Sequence, residues 1–440
     1  MKRSRRTVST TALIAAGLAL LSAAPAPGAG FLIFEHGTKA MGLAGAFTAQ
    51  ADDGSAMFHN AAGLAFQDRR SIDVGTTLIS NTTGDFEGLG PFPGRGATGE
   101  QADAVFFPSH AYYVQPIAPN WTFGLGFNDP FGLAMEWDDV NDWPGRFINY
   151  DAELRTFDLN PTIAWKATPN LGVGLGLVAR WSDIELNQRV GVASPFGGVA
   201  EVGDTTLDSG LEEGFGWNAG ILHKVNPSFS WGLAYRSKVE VDYSGDGRFT
   251  QILTGIPELD AGVRAQIPFD QDLPVETTID FPDLAMLGFA FGLTRNVVLE
   301  TDVQWTGWSS FDELPIEFPE NPQFSRVLPE RYDDVYAYRA GLSWTTSPRS
   351  EWRFGYVHDE TPQPETSVGP LLPDADRDGV TLGYGYRGGW DFDVALMYLE
   401  FDERTRDETF RSDEFPNEPV FHGTYDTTAF LLGITVGFNP

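Results

Sequence analysis

The sequence predicts an all-β fold: a transmembrane antiparallel β-barrel of about 14 strands with an N-terminal lumenal plug, or hatch. Three observations carry that reading. An export signal opens the chain, and no later segment is long and apolar enough for a membrane-spanning helix. The body repeats short segments of period-two alternation, rich in aromatic residues and glycine. Tight and long connections alternate strictly between those segments.

At the start, Lys2, Arg3, Arg5 and Arg6 precede an apolar stretch from Val8 to Leu21, and small residues follow at Ala24, Ala26 and Gly28. This is the pattern of a secretory signal peptide over residues 1–28, with cleavage after Gly28 leaving Ala29 first. A retained anchor helix is the alternative, but a span needs about 20 apolar residues. Removing the four signal cations leaves 25 basic against 61 acidic side chains, a net charge of −36 (25 − 61). Nucleic acid is excluded as a partner, because phosphates demand a basic surface. Cysteine is absent, so neither disulfides nor thiolate metal sites enter.

Residues 29–66 differ from everything after them. Small residues dominate, including Gly42, Ala44, Gly45, Ala46, Ala61, Ala62 and Gly63, with no alternation. Such a run removes too little area from water to build its own core, yet it can pack closely inside something larger. Alone it also reads as a floppy N-terminal arm.

Residues 67–440 read as the barrel. In residues 170–181 Leu171, Val173, Leu175, Leu177 and Trp181 alternate with Gly172, Gly174, Gly176, Val178 and Arg180. In residues 231–241 the apolar set is Trp231, Leu233, Tyr235, Val239 and Val241, with Gly232, Arg236, Lys238 and Glu240 opposite. Residues 297–305 set Val297, Leu299, Val303 and Trp305 against Glu300, Asp302 and Gln304. Segments 336–344, 380–386, 392–398 and 428–438 repeat the pattern. One set would face lipid and the other a polar lumen. Six connections are tight (116–120, 168–170, 225–228, 293–296, 345–350 and 387–389) and seven are long (81–99, 128–152, 187–213, 243–275, 308–333, 359–378 and 402–422). Thirteen connections make fourteen strands, with both chain ends on the short-turn, periplasmic side.

The chain resembles the outer-membrane long-chain fatty acid and aromatic hydrocarbon transporters, the fatty acid transport porin family. The likeness rests on Ala29-Gly30-Phe31, Ala51-Asp52-Asp53, Asn60-Ala61-Ala62, Asn160-Pro161-Thr162-Ile163-Ala164-Trp165, Tyr235-Arg236-Ser237-Lys238, Trp305-Thr306-Gly307-Trp308 and Gly423-Thr424-Tyr425, in that order. It spans nearly all of the mature chain, although each motif alone is weak. Ala61 stands where the family usually has proline, which loosens a φ constraint in the hatch. Phe438 is followed by Asn439 and Pro440, whereas such barrels usually end on an aromatic residue.

The resemblance implies roles for particular residues. Phe31, Gly42, Asn60, Ala61 and Ala62 would belong to the hatch. Pro108, after Phe106 and Phe107, sits where a strand would run, and an interior proline removes a ladder donor. The family's use for such a kink is a lateral gap in the wall, whereas the plainer reading is a second strand starting after a bulge. Phe131, Leu133, Met135, Trp137, Trp143 and Phe147 crowd one long loop and Phe196 lies in the next. Together they would form a capture groove for acyl chains, or simply cap the barrel. Arg180, Arg236, Lys238 and Arg339 are expected to point inward. Arg180, on a glycine-lined face with room for a ligand, would be the lumenal partner of a carboxylate.

No catalytic constellation, cofactor motif or metal-ligand spacing appears, and Asp374-Ala375-Asp376-Arg377-Asp378-Gly379 lacks the closing glutamate of a calcium loop. The expected protein is a non-enzymatic monomer of the Gram-negative outer membrane. Its expected contacts are outer-membrane lipid, lipopolysaccharide and the barrel-assembly machinery. It would pass hydrophobic molecules, long-chain fatty acids first, by passive ligand-gated diffusion with lateral exit. Aromatic hydrocarbon uptake, a general diffusion porin and a structural or adhesive barrel are the alternatives.

Overall fold

A computed structural model describes residues 30–103, 105–407 and 421–439. The expected signal peptide, Ala29 and much of the 402–422 connection lie outside the described residues. Fourteen antiparallel strands form the barrel. They are β1 (Ser71–Gly88), β2 (Thr98–Glu100, Val105–Phe106 and Ser109–Ala118), β3 (Trp121–Asn128 and Gly132–Glu136), β4 (Asp151–Thr168) and β5 (Leu171–Ala193). Next come β6 (Val199–Ser209 and Glu212–Asn226), β7 (Phe229–Arg236 and Val239–Gln251), β8 (Asp272–Phe281 and Leu284–Gly292), β9 (Val297–Thr306) and β10 (Val335–Ser347). The last four are β11 (Ser350–Asp359), β12 (Arg377–Tyr386), β13 (Asp391–Phe401) and β14 (Gly423–Phe438). Each pairs with its sequence neighbours, and β1 pairs with β14 from Ile72↔Phe438 to Gly88↔Gly423, which closes the ring.

The alternation sorts as amphipathic wall strands must. Leu175, Leu177, Trp165, Phe215, Trp344 and Tyr356 are exposed on the outer face, where lipid replaces water. Arg180, Glu300, Asp302, Gln304 and Arg339 are buried on the inner face. The six tight turns fall where the sequence places them. Several long connections are shorter than expected, because the wall strands continue past the membrane, whereas 308–333 and 402–422 keep their expected length. The β5–β6 connection shrinks to residues 194–198, and residues 239–251 and 272–281 are strand. A short helix, Pro257–Arg264, and a two-stranded hairpin, Glu313–Ile316 with Arg326–Pro329, fill parts of the remaining loops.

One expected face is inverted. β7 breaks at Ser237 and Lys238, and the break shifts its phase by one residue. Val239 and Val241 are buried, whereas Lys238 is turned outward and pairs with Asp280 at 2.9 Å. β6 and β8 break beside it, at 210–211 and 282–283. Beyond this level the outside is water, so apolar side chains gain more by turning in.

Candidate functional site

Residues 31–66 contact inward-facing groups right round the barrel. Thr38 Oγ1 meets Thr435 Oγ1 of β14 at 2.7 Å, and Thr381 Oγ1 of β12 donates to the Gly42 carbonyl at 3.0 Å. Arg339 of β10 donates to the Ala44 carbonyl at 3.1 Å, and Ser230 of β7 to that of Ala49 at 2.9 Å. Consecutive backbone N–H groups of the segment point at two carboxylates of β9. Phe47 and Thr48 donate to Asp302 at 3.0 and 2.9 Å, Ala49 and Gln50 to Glu300 at 2.5 and 3.3 Å. The Asn60 amide donates to the Thr48 and Ile221 carbonyls and accepts from Ala62 N–H, capping the turn Ala61–Phe66.

The glycine-lined face of β5 explains itself here. A Cβ on Gly174 would collide with the Ala61 and Ala62 backbone and one on Gly172 with the Ala62 carbonyl and Phe66, while on neighbouring β6 one on Gly220 would meet the Asn60 side chain. The room predicted for a ligand beside Arg180 is taken by this segment. Arg180 itself is also engaged, contrary to its expected role. Its Nε and Nη2 donate to Asp158 at 2.8 and 2.9 Å, and Phe131 and Phe281 lie 4.6 and 4.7 Å from its guanidinium carbon. Arg236 reaches the same buried carboxylate at 3.4 Å. Nothing in the sequence singles out Asp158, which lies opposite Arg180 only through the β4–β5 register.

Above the segment the lumen turns apolar. The Phe31 ring lies 4.7 Å from Trp308, 5.2 Å from Phe311, 5.9 Å from Phe281 and 6.1 Å from Phe131, all centroid to centroid. Two cavities of about 50 and 30 Å³ adjoin here, sharing Ile184, Leu186 and Leu314. A dry cavity that takes benzene is about 150 Å³, so a ligand must push these walls apart. The larger hollows, about 280 and 580 Å³, have mixed polar and apolar linings and lie near the short turns. Phe281 and Phe311 were not anticipated from the sequence, and Trp308 only as part of a motif.

The expected loop groove does not form as one exposed surface. Phe131, Leu133, Met135, Trp137 and Trp143 are buried in the upper lumen. Trp137 and Trp143 stack at 3.9 Å, and their indole N–H groups donate to the Pro370 and Asn149 carbonyls. Phe147 is half-buried beside Gly191 and Arg146, and Phe196 is 85% exposed at a hairpin tip. The loop folds inward because Gly132–Glu136 pairs with β4 instead of staying in water.

Pro108 interrupts β2. Its carbonyl accepts from Thr77 N–H at 2.9 Å, keeping the strand on β1, while Phe106 turns inward and Phe107 is partly exposed outward. On the other edge the β2–β3 ladder stops at His110↔Asn128 and resumes only at the Gln101↔Trp137 bridge. In between, β3 pairs inward. Ile33 N–H donates to the Pro130 carbonyl and Gly132 N–H to that of Phe31, both at 2.9 Å. Just before them, Gly30 N–H donates to buried Asp374 at 3.0 Å. Burial raises the Asp374 carboxyl to about 7.

Comparisons with known proteins agree with this architecture. Residues 19–439 match the family described as outer membrane protein transport protein (OMPP1/FadL/TodX). The chain is 26% identical over 424 residues to a long-chain fatty acid transport protein of Escherichia coli O6:H1, covering 90% of this chain and 92% of that one. Among solved structures it superposes on a Pseudomonas aeruginosa FadL homologue with a TM-score of 0.77 at 21% identity, covering 93% and 99% of the two chains. On the Pseudomonas putida toluene transporter TodX the TM-score is 0.67 at 16% identity, covering 92% and 98%. The protein therefore belongs to the OMPP1/FadL/TodX family of transport proteins and is a β-barrel of the Gram-negative outer membrane.

Proposed function

We propose that the protein passes hydrophobic molecules through the outer membrane by passive transfer, with residues 31–66 acting as a plug that the ligand itself shifts. The observation that carries this reading is the inward pairing of residues 130–132 with residues 31–33. The same backbone bonds hold the plug shut and draw β3 away from β2, so a ligand that displaces Phe31 also moves the edge of the wall gap near Phe107 and Pro108. Apolar molecules would enter from the loop end, part the aromatic cluster around Phe31 and Trp308, and leave sideways into lipid. The driving force is removal of apolar area from water, about 0.8 kcal/mol per buried CH₂. No step needs a cofactor or an energy source.

Long-chain fatty acids are the first candidates, because relatives spanning nine-tenths of the chain carry that name. A second reading, aromatic hydrocarbons or other uncharged molecules, is favoured by Arg180. Its fork already holds Asp158, and a fatty acid carboxylate would have to displace a buried partner. Mass spectrometry of ligand retained by protein purified in two detergents tests both, with binding of a labelled long-chain fatty acid and of an alkylbenzene. Saturable binding of either, with little ion conductance in planar bilayers, is expected. Steady conductance without binding of either would replace the transporter with a diffusion porin.

A further inference from the structure

The tight turns carry basic side chains and no acidic ones. The chain holds 61 acidic side chains, yet none lies in the six tight turns, residues 116–120, 168–170, 225–228, 293–296, 345–350 and 387–389. Three of those turns contain a basic residue, Arg295, Arg349 and Arg387, and Lys166 and Lys224 lie at the strand ends beside two others. Three of these five are already committed. Lys166 and Lys224 lie 5.4 and 4.3 Å from the Phe66 ring, and Arg387 donates to Asp393 at 2.8 and 3.0 Å. Arg295 and Arg349 are exposed and have no acidic partner among the described residues.

These two arginines sit in turns joined through the β9–β10 ladder, where Thr345 N–H donates to the Asn296 carbonyl at 2.8 Å. Their turns are two strand spacings apart, roughly 10 Å along the rim. Directly above, on the outer face, are Phe291 and Leu293 of β8 and its turn, and the cross-strand pair Trp344 and Trp352, all exposed. Exposed tryptophans beside a tight turn mark the level where hydrocarbon gives way to headgroups. The site thus offers two unpaired guanidinium groups at headgroup depth and a flat aromatic surface at acyl depth.

We propose that Arg295 and Arg349 hold the phosphate of an anionic phospholipid of the inner leaflet, its acyl chains lying on Phe291, Leu293, Trp344 and Trp352. A guanidinium donates bidentately to phosphate oxygens, and the surrounding membrane supplies the chains at the same height. Phosphatidylglycerol, with no amine to meet the arginines, fits better than phosphatidylethanolamine.

The test uses the full mature barrel in mixed micelles with phosphatidylglycerol and phosphatidylethanolamine of identical chains. Retained lipid is counted by mass spectrometry of the intact protein. Each basic side chain near the surface contributes about fivefold, so a preference of roughly 25-fold for phosphatidylglycerol is expected. Arg295→Gln with Arg349→Gln should reduce it to within about twofold, while Arg264→Gln, on the loop side, should leave it intact. Should the double variant fail to fold, wild-type protein in about 1 M salt must lose most of the preference, because screening then acts within about 3 Å. No preference in the wild type, full preference in the double variant, displacement of the lipid by millimolar inorganic phosphate, or stronger retention of lipopolysaccharide would each overturn the proposal.

Discussion

The two halves of the lumen are built from opposite materials. Near the short turns, backbone groups of residues 37–66 meet polar wall groups: Asp302, Glu300, Asn218, Ser230 and Thr435. Every such bond has a fixed direction, so the segment has one way to sit. Towards the loops, Phe31, Phe131, Phe281, Trp308 and Phe311 meet through rings and aliphatic chains. Apolar contacts have no such directional demand, and two small cavities remain among them. The lower half is specified and the upper half is deformable.

The largest expected effect comes from breaking the specified half. Asp302→Ala removes a buried carboxylate that accepts from two backbone N–H groups, and should cost about 3 kcal/mol or more. With Glu300→Ala added, ion conductance in planar bilayers should rise well above that of the wild type. An unchanged conductance would mean that the lower half is not what seals the lumen. Next comes Arg180. Arg180→Ala removes two hydrogen bonds from buried Asp158 and the packing against Phe131 and Phe281, and should destabilise the barrel by about 3–5 kcal/mol, whereas Arg180→Met keeps that packing and leaves Asp158 paired with Arg236, so it should be milder. Labelled fatty acid should bind Arg180→Met as well as wild type; a tenfold loss would restore Arg180 as a ligand partner.

In the deformable half, Phe31→Ala removes a large ring from the aromatic cluster, at about 3–5 kcal/mol when the site cannot collapse. The enlarged space should admit alkylbenzene at lower concentrations, read by intrinsic tryptophan fluorescence. Pro108→Val removes the φ constraint at the break in β2, so the strand can straighten along β3, and ligand uptake by cells should slow several-fold while binding in detergent stays the same. The smallest effect concerns Asp374. Its folded pKa of about 7 lies above the unfolded value, so folding favours the protonated form and stability falls as pH rises from about 4 towards 7. Asp374→Asn should flatten that part of the thermal-midpoint profile relative to wild type. Parallel profiles would show that the carboxyl is not titrating there.

The strand count and the tight turns were legible because both are local. Alternation and turn residues such as Pro169 and Asn170 need no knowledge of distant partners. What failed was non-local. Gly172 and Gly174 looked like space for a ligand, but the chain that fills the space, Ala61 to Phe66, lies more than 100 residues away in sequence. Val239 and Lys238 alternate equally well in either phase, and only the break at Ser237 decides which one faces the lumen. Phe131 and Trp143 looked like exposed loop residues because the sequence does not show that their loop pairs with β4 and turns inward. Arg180 was seen and its partner was not.

The seam between β1 and β14 sets an order of events in assembly. Thr38 bonds to Thr435, 397 residues later, and other groups in the same short segment bond to β6, β7, β9, β10 and β12. Residues 30–66 therefore cannot complete their contacts until the last strand arrives. Because contacts so distant in sequence form slowly, the vulnerable species during biogenesis is an open sheet with its N-terminus still loose, and seam closure is the step that commits it.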